Sequence, residues 1–370
     1  MNDLGSPTYD SLSEREISSK KIRCLLIGST DPLTRNLRSG AALRYYNPPE
    51  GVSYHLRMER LGYPAYLGYY SLKPLTTPLS VARLFAEAIY PLGEKGHSLV
   101  HSFYWSLHRY RVPWIHENDQ SLSQLLSGYV KLNGFPQRRI VELASALLNS
   151  RMCKSIVVWS EWAKKGYAED GVDRSKIRVI PPPFPLINDR KRHDNANILF
   201  LGRDYKRKGG DTALSAFREL RKRFENIHLI YVGKIRDPIA LKQIVQDKQI
   251  TYFESVSQQV LLSEIFPVAD IFLLPCRAEA FGMSLVEALG RGIPVVSSKI
   301  SAIPEIVQDR VTGFLNNPSD LQGFVSTTEK LLEEKSRKEM GKRAALSVLE
   351  KYSPGKISTQ LLKTYLNSLD

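Results

Sequence analysis

The chain contains two successive series of short β-branched and aromatic runs, and the gaps between the runs are long enough for helices. Several runs are almost continuously apolar, as expected of parallel strands that are covered on both faces. The runs that predict strands are IRCLLIG (22–28), YPAYLGY (63–69), SLVHSF (98–103), VPWIHE (112–117), SIVVWS (155–160), IRVIPP (177–182), NILFLG (197–202), IHLIYVG (227–233), ITYFES (250–255), IFLLPC (271–276) and IPVVSS (293–298). Strand and helix alternating in this way predict an α/β fold with two doubly wound sheets.

A proline-rich segment separates the two series. Residues 181–197 open with four prolines in five positions and close with polar residues, which is typical of a stiff linker between domains. A length of 370 residues also suits two domains. The sequence therefore predicts a polar tail (1–20), an N-terminal domain (21–185), a C-terminal domain (186–351) and a final helix (352–370). Two such domains facing each other would bind ligands at the carboxyl ends of their strands.

The segment after the first predicted strand is rich in turn-forming residues. Residues 42–52 (ALRYYNPPEGV) predict a long loop, and the following residues, about 52–61, predict a helix.

The chain is basic, with a formal net charge of +14 that is spread over both halves. Such a surface suits nucleic acid, anionic lipid or phosphorylated small molecules. No zinc-finger, homeodomain or RNP signature is present, which puts nucleic acid last. Cys24, Cys153 and Cys276 lie far apart in or beside apolar runs, which favours buried thiols over disulfides or a metal site. Without an apolar N-terminal segment or a run long enough to span a bilayer, the expectation is a cytoplasmic protein.

A basic loop follows the first strand of the second series. In FLGRDYKRKGG (200–210), Arg203 and Lys208 lie five residues apart after the strand, and Gly209-Gly210 precede the next helix. Two fixed cations at the carboxyl end of a strand suit a diphosphate. A solvated basic turn is the alternative.

Two glutamates eight residues apart flank a glycine turn in EAFGMSLVE (279–287). A buried strand ends just before this stretch, and a helix is expected to begin near Met283 or Ser284. Gly282 would let the backbone approach a ligand closely, and the helix N-terminus would offer N–H groups to phosphate oxygens. Glu279 precedes the turn and could reach a hydroxyl-rich group, whereas Glu287 could accept a hydrogen bond from a ribose diol. Neighbouring cations would favour ionisation of both acids. The alternative is a loop acid and a glutamate favourably placed in a helix.

A histidine follows a short apolar strand in VPWIHENDQSLSQLL (112–126). His116 at a strand end could contact a sugar hydroxyl or a reacting centre. A satisfied structural histidine is the alternative. His101 ends the preceding strand in the same way, but no flanking residue gives further support for a functional role.

Taken together, these motifs resemble those of retaining glycosyltransferases of family 4, which have the two-domain, Rossmann-like GT-B fold. EAFGMSLVEALGRGIPVVSS resembles the family's E-x7-E signature, FLGRDYKRKGG its Arg–Lys phosphate loop, and WIHENDQSLSQLL its histidine motif. Residues 157–184 are similar to the segment that ends the family's first domain. The resemblance is clear from about residue 97 onward and strongest at 197–315.

The resemblance implies a role for each matching residue. Arg203 and Lys208 would hold the pyrophosphate of a nucleotide-sugar donor. The catalytic candidates are His116, near the anomeric centre or a sugar hydroxyl, and Glu279, at the donor sugar. Glu287 would bind the ribose, and the backbone at Phe281, Gly282, Met283 and Ser284 would complete the donor site. The family's last helix crosses back to the first domain, which fits 352–369.

The N-terminal part departs from the family pattern. Members usually carry a Gly-Gly turn after the first strand, whereas this chain has Glu50-Gly51 after an unusually long loop. Gly51 and Arg38 are the tentative acceptor-side residues. Arg35, Arg38 and Arg44 could serve an anionic acceptor or form a solvated face.

The expected reaction is metal-independent transfer of a sugar, with retention, to a glycan, lipid or small molecule. No cofactor is expected. No Asp-x-Asp metal motif is found in the predicted loops, so the cations and the helix N-terminus would stabilise the departing diphosphate. The alternatives are an epimerase or sugar-phosphate synthase of the same fold, an inactive scaffold member, and a dinucleotide oxidoreductase. The last is the weakest, because no G-x-G-x-x-G motif follows the first strand of either domain. Residues 131–139 (KLNGFPQRR) and 62–70 (GYPAYLGYY) suggest peripheral contact with an anionic membrane, and a fully soluble surface is the alternative.

Overall fold

A computed structural model of the chain describes residues 22–29, 39–59, 96–104, 110–191, 193, 196–235 and 237–370. These residues form two six-stranded parallel sheets with helices between the strands, which confirms the predicted α/β class. The strands are β1 (Ile22–Ser29), β2 (Val52–Glu59), β3 (Leu99–Phe103), β4 (Trp114–Asn118), β5 (Cys153–Val158), β6 (Ile177–Val179), β7 (Ala196–Leu201), β8 (Ile227–Val232), β9 (Ile250–Phe253), β10 (Ile271–Leu274), β11 (Val295–Ser298) and β12 (Gly313–Asn316).

The helices lie between these strands and after them. They are α1 (Ser39–Tyr46), α2 (Leu122–Leu125), α3 (Phe135–Leu148), α4 (Glu161–Glu169), α5 (Gly210–Leu220), α6 (Pro238–Val245), α7 (Gln258–Val260), α8 (Phe266–Val268), α9 (Met283–Leu289), α10 (Ile303–Ile306), α11 (Leu321–Lys330), α12 (Glu334–Tyr352) and α13 (Pro354–Leu369). One π-helical turn, Leu126–Val130, follows α2, and another, Leu261–Ile265, follows α7. A 3₁₀ turn, Arg174–Lys176, precedes β6.

Each sheet has the strand order of a doubly wound fold. The first sheet has the order β2-β1-β3-β4-β5-β6, and the second has the order β12-β11-β10-β7-β8-β9. In each sheet, chain connections lead away from a central strand in both directions, which places strand ends and the following loops on one edge. The apolar runs become the buried strands, because strands covered by helices on both faces need apolar side chains on both faces.

The predicted helix at about 52–61 is wrong, because β2 occupies Val52–Glu59. This strand pairs in parallel with β1 over its whole length, from Ile22 opposite Val52 to Ser29 opposite Glu59. Val52 is buried, whereas Ser53, His55 and Arg57 are exposed, which is the alternation expected of an edge strand.

Two further predictions concern this region, and one strand elsewhere was not predicted. The predicted loop at 42–52 is helical in its first part, where α1 continues to Tyr46. The predicted strand at 63–69 lies outside the described residues. The short strand β12 was not predicted.

The chain divides into two compact units. The first comprises the described residues of Met1–Glu117 together with Leu147–Ile156 and Ser358–Asp370, and the second comprises Asn118–Ala146 and Val157–Ile357.

Within the second unit, a close backbone approach fixes the loop that follows β7. Gly209, immediately before α5, has a φ of +73°, and a Cβ atom there would lie 1.9 Å from the carbonyl oxygen of Pro275. Only glycine tolerates both the left-handed conformation and this approach. The loop after β7 is therefore held against the residues that follow β10.

Candidate functional site

Two loops of the second unit meet through charged side chains. The ammonium group of Lys208, in the loop after β7, contacts the carboxylate of Glu279, in the loop after β10. The neighbouring guanidinium of Arg207 lies 3.7 Å from the same carboxylate and donates to the carbonyl oxygen of Ala278 at 3.0 Å. Arg203, in the same loop as Lys208, is exposed. The structure thus brings together Lys208 and Glu279, which the sequence had placed 71 residues apart.

Arg207 is a residue of this region that the sequence reasoning missed. Its guanidinium lies 5.3 Å from the centre of the Tyr129 ring, a cation–π arrangement, and its backbone N–H donates to Asp204 at 3.1 Å. Tyr129 belongs to the π-helical turn after α2. The signal was present as the basic run Lys206-Arg207-Lys208, but the partners of Arg207 depend on the fold.

The glycine turn before α9 has the predicted geometry. Gly282 has a φ of +90°, and α9 begins at Met283. The Phe281 ring is buried and packs edge-to-face against Trp159 at 5.6 Å, so only its backbone is available to a ligand. Met283 and Ser284 are partly buried. Because α9 has only seven residues, the cations of the loop after β7 are the larger source of positive potential here.

Glu287 does not fit the expectation that both glutamates are ionised. It lies in α9 between the buried residues Val286 and Ala288. Burial raises the pKa of Glu287 to about 7, although the charge of Arg291 opposes the change. Arg291 donates to the carbonyl oxygen of Glu287 at 3.1 Å and pairs with Asp189 at 3.3 Å. Burial therefore brings the ionisation of Glu287 close to neutral pH.

His116 lies in β4, in the first unit, and is fully buried. Desolvation lowers the pKa of His116 to about 3; the nearby His101 adds to this effect, and Glu117 opposes it. The imidazole is therefore neutral, so it can give or accept a hydrogen bond but carries no charge.

The tentative acceptor-side residues have different outcomes. Gly51 is exposed, has a φ of +75°, and accepts a hydrogen bond from the backbone of Ile22 at 2.9 Å. Arg38 and Arg35 lie outside the described residues. Arg44 is not part of a solvated face, because its side chain is fully buried and forms an ion pair with Glu117 at 3.1 Å.

Across the described ranges, no cluster of three or more His, Cys, Asp or Glu side chains could hold a metal ion. The three cysteines are buried free thiols, as predicted. In the part of the chain that is described, no helix combines the length and the apolar character needed to cross a membrane.

Comparison with known sequences finds a family match within the second unit. Residues 187–347 match the family model described as glycosyl transferases group 1. The chain is 28% identical over 225 residues to the lipopolysaccharide 1,2-N-acetylglucosaminetransferase of Salmonella typhimurium, covering 54% of this chain and 58% of that protein. It is 26% identical over 211 residues to the GDP-mannose-dependent alpha-(1-6)-phosphatidylinositol monomannoside mannosyltransferase of Mycobacterium tuberculosis, covering 54% of each. The chain thus matches a little over half the length of these curated relatives.

Comparison with solved structures concerns the fold. HepE of Anabaena, crystallised with UDP and glucose, superposes with a TM-score of 0.67 at 14% identity, over 93% of this chain and 99% of that chain. Sucrose-phosphate synthase of Thermosynechococcus elongatus gives a TM-score of 0.62 at 19% identity, over 93% and 98%. These likenesses and the two doubly wound sheets show a GT-B fold, and residues 187–347 are similar to the group 1 glycosyl transferases.

Proposed function

We propose that the protein is a retaining, metal-independent glycosyltransferase that moves a sugar from a nucleoside-diphosphate sugar to an acceptor. The observation that carries this proposal is the meeting of the loops after β7 and β10, where Lys208 and Arg207 flank the carboxylate of Glu279. A departing nucleoside diphosphate gains negative charge as the glycosidic bond breaks. Fixed cations that face this charge lower the barrier because they need little reorganisation.

The proposed roles follow the position of each side chain. Arg203 is exposed and Lys208 is partly buried, so both can reach an entering diphosphate. The carboxylate of Glu279 is proposed to turn from Lys208 toward a hydroxyl of the donor sugar, because the diphosphate competes for the same ammonium group. Glu287 is proposed to accept from the ribose, and the neutral His116 to bind a sugar hydroxyl or the anomeric centre. The backbone from Phe281 to Ser284 is proposed to complete the donor site.

The first experiment measures thermal stabilisation by UDP, GDP, ADP and CMP in the absence of added metal. A ligand at 100 times its dissociation constant should add about 2.7 kcal/mol to the free energy of unfolding. We expect one diphosphate to stabilise the wild type but not the Arg203→Ala/Lys208→Ala variant. The matched control is Lys222→Ala/Arg223→Ala, which removes the same charge at the exposed end of α5 and should leave the stabilisation intact.

This experiment has three possible outcomes. Stabilisation of the wild type alone identifies the base, and sugar donors of that nucleotide can then be tested for transfer. Equal stabilisation of wild type and Arg203→Ala/Lys208→Ala would place the nucleotide elsewhere. If no nucleotide stabilises the wild type at millimolar concentration, the transferase proposal fails and a scaffold role becomes the one to pursue.

We propose that the protein makes peripheral contact with an anionic membrane, as transfer to a lipid acceptor would require; a glycan and a small molecule are the alternative acceptors. Helix α3 supports this through an exposed face that carries both apolar and basic residues. Phe135 is 70% exposed and Leu143 is 60% exposed, and Arg138 and Arg139 lie between them on the exposed side of the helix, where Arg139 pairs with Glu142 at 3.1 Å. Lys131, just before the helix, is also exposed. Apolar side chains flanked by arginines match the boundary between acyl chains and anionic headgroups.

A vesicle experiment tests this contact. We expect the protein to sediment with vesicles of equal parts phosphatidylcholine and phosphatidylglycerol, but not with phosphatidylcholine alone, and salt should weaken the binding. Leu143→Ser should reduce binding, whereas Leu346→Ser should not, although Leu346 in α12 is 62% exposed. Binding that ignores lipid charge, or that Leu346→Ser lowers as much as Leu143→Ser does, would contradict the proposed surface.

A further inference from the structure

A chain of buried polar side chains crosses the first unit. The guanidinium of Arg44 in α1 contacts both carboxylate oxygens of Glu117 in β4, at 3.1–3.2 Å. On the other side of Glu117, its Oε2 lies 2.9 Å from Nε2 of His101 in β3. Nδ1 of His101 lies 2.6 Å from the hydroxyl of Tyr365 in α13, which lies 2.7 Å from the hydroxyl of Tyr54 in β2. The chain therefore joins five elements, one of which is the last helix.

The direction of every hydrogen bond in this chain follows from Glu117. Burial raises the pKa of this carboxyl, but Arg44 and His101 outweigh burial and lower it overall, so the group is ionised and can only accept. Burial lowers the pKa of His101 more than Glu117 raises it, so the imidazole is neutral. Its single N–H then lies on Nε2, 2.9 Å from the Glu117 carboxylate but outside hydrogen-bond geometry, and its Nδ1 accepts from Tyr365. Tyr365 in turn accepts from Tyr54, so all donors point toward one carboxylate.

Glu117 directly follows His116, and the two side chains lie on opposite faces of β4. Phe103 of β3 is paired with Glu117, whereas Ser102 is paired with His116. The ring of His101 stacks on that of Phe103, with centres 4.7 Å apart, which fixes the imidazole on the face that carries Glu117. The polar chain therefore contacts β4 on the face that carries Glu117, and the side chain of the preceding residue, His116, lies on the opposite face.

From this arrangement we infer that Tyr365 is a positioning residue for His116, acting through His101 and Glu117. The inference rests on the proposed transferase activity, since it assigns the C-terminal helix a part in placing a side chain proposed to act in catalysis. A buried polar chain whose hydrogen bonds have one possible direction favours one arrangement of its members. Removal of the Tyr365 hydroxyl leaves Nδ1 of His101 without its donor and Tyr54 without its acceptor, so the geometry at Glu117 relaxes.

The test compares three tyrosine-to-phenylalanine variants in a sugar-transfer assay with the donor found as above. Tyr365→Phe should lower kcat by about tenfold or more, because small displacements of reacting groups are costly, while KM for the donor stays within about twofold. Tyr54→Phe should have a smaller effect, because it removes only the far end of the chain. Tyr167→Phe is the matched control, because it removes a hydroxyl from another buried tyrosine, in α4 of the second unit. It should leave kcat unchanged.

A second measurement does not depend on turnover. The chain has seven histidines, so the ring signals of His116 can be assigned in a ¹⁵N-histidine NMR spectrum by comparison with His116→Gln. We expect Tyr365→Phe to shift the His116 signals and Tyr167→Phe to leave them in place. Unshifted signals in Tyr365→Phe, or a kcat equal to that of the wild type, would overturn the inference. If the wild type transfers no sugar, the proposed function fails, and the NMR result alone decides whether Tyr365 and His116 are coupled.

Discussion

Replacement of Glu287 by glutamine should stabilise the protein at alkaline pH. This glutamate lies in α9 among buried residues, and burial raises its pKa from the usual 4.5 to about 7 despite the nearby Arg291. Ionisation of this group in the folded state is therefore opposed by the structure, whereas a glutamine of the same shape carries no charge to desolvate.

The sign and size of the effect follow from proton linkage. Because the folded-state pKa lies above the unfolded one, the unfolded chain binds fewer protons between these two pH values, so stability falls as pH rises. A tenfold change in proton affinity is worth about 1.4 kcal/mol, so the penalty from Glu287 approaches about 3 kcal/mol above its folded pKa. Most of this penalty, about 2 to 3 kcal/mol, develops between about pH 5 and pH 8.

The assay is urea unfolding of wild type and Glu287→Gln at both pH values, with the difference between the two proteins as the readout. We expect the variant to gain stability over the wild type as pH rises, and to bind a nucleoside diphosphate more weakly if Glu287 accepts from the ribose. Glu350→Gln, an exposed site in α12, is the control and should show no such pH-dependent gain. A difference that stays constant with pH, or a glutamine variant that is less stable at pH 8, would refute the reasoning about burial.

Three further substitutions or titrations test the geometry. Gly282→Ala should abolish stabilisation by nucleotide in the thermal-shift assay, because φ is +90° there and a Cβ atom would lie 2.8 Å from a leucine side chain. Gly171→Ala is the control for backbone strain alone, because φ is +86° there but the space around it is open. Arg44→Met should destabilise the protein by about 3 kcal/mol or more in urea unfolding, because it leaves the buried charge of Glu117 unpaired. His116, whose pKa is about 3, should show no titration between pH 5 and pH 8 in its NMR ring signals, and a step near pH 6.5 would contradict its burial.

Much of the fold could be predicted because covered parallel strands need apolar side chains on both faces. The runs that became β7, β8 and β10 are of this kind. The edge strand β2 was not predicted because exposed residues (Ser53, His55 and Arg57) alternate there with buried or partly buried ones. The alternation in Val52–Glu59 was readable at a period of two residues, but the preceding turn formers favoured a helix start. The strand β12 has four residues, and only Gly313 is buried, so neither length nor periodicity marked it.

The candidate site could be predicted where its charged residues directly follow strands. Lys208 and Glu279 each follow a strand of the same parallel sheet, and such ends share one edge. The sequence could not reveal that Lys208 contacts Glu279, or that His101 belongs to a polar chain. The hydroxyl that faces His101 comes from Tyr365, 264 residues later, and nothing local to either residue indicates the other.

Two acids with different environments are also what a glycoside hydrolase uses, where a protonated and an ionised carboxyl group flank one bond. The surroundings of Glu279 and Glu287 favour transfer instead. Glu279 contacts the ammonium group of Lys208 and lies near Arg207, and a hydrolase that leaves a neutral sugar hydroxyl has no use for these cations. A nucleoside diphosphate leaves with negative charge that these cations can stabilise. The pKa of Glu287 is raised by burial in α9, where its neighbours Val286 and Ala288 are buried. The asymmetry of the two glutamates therefore reflects the loop and the helix that carry them, and it fits one acid for the sugar and one for the ribose.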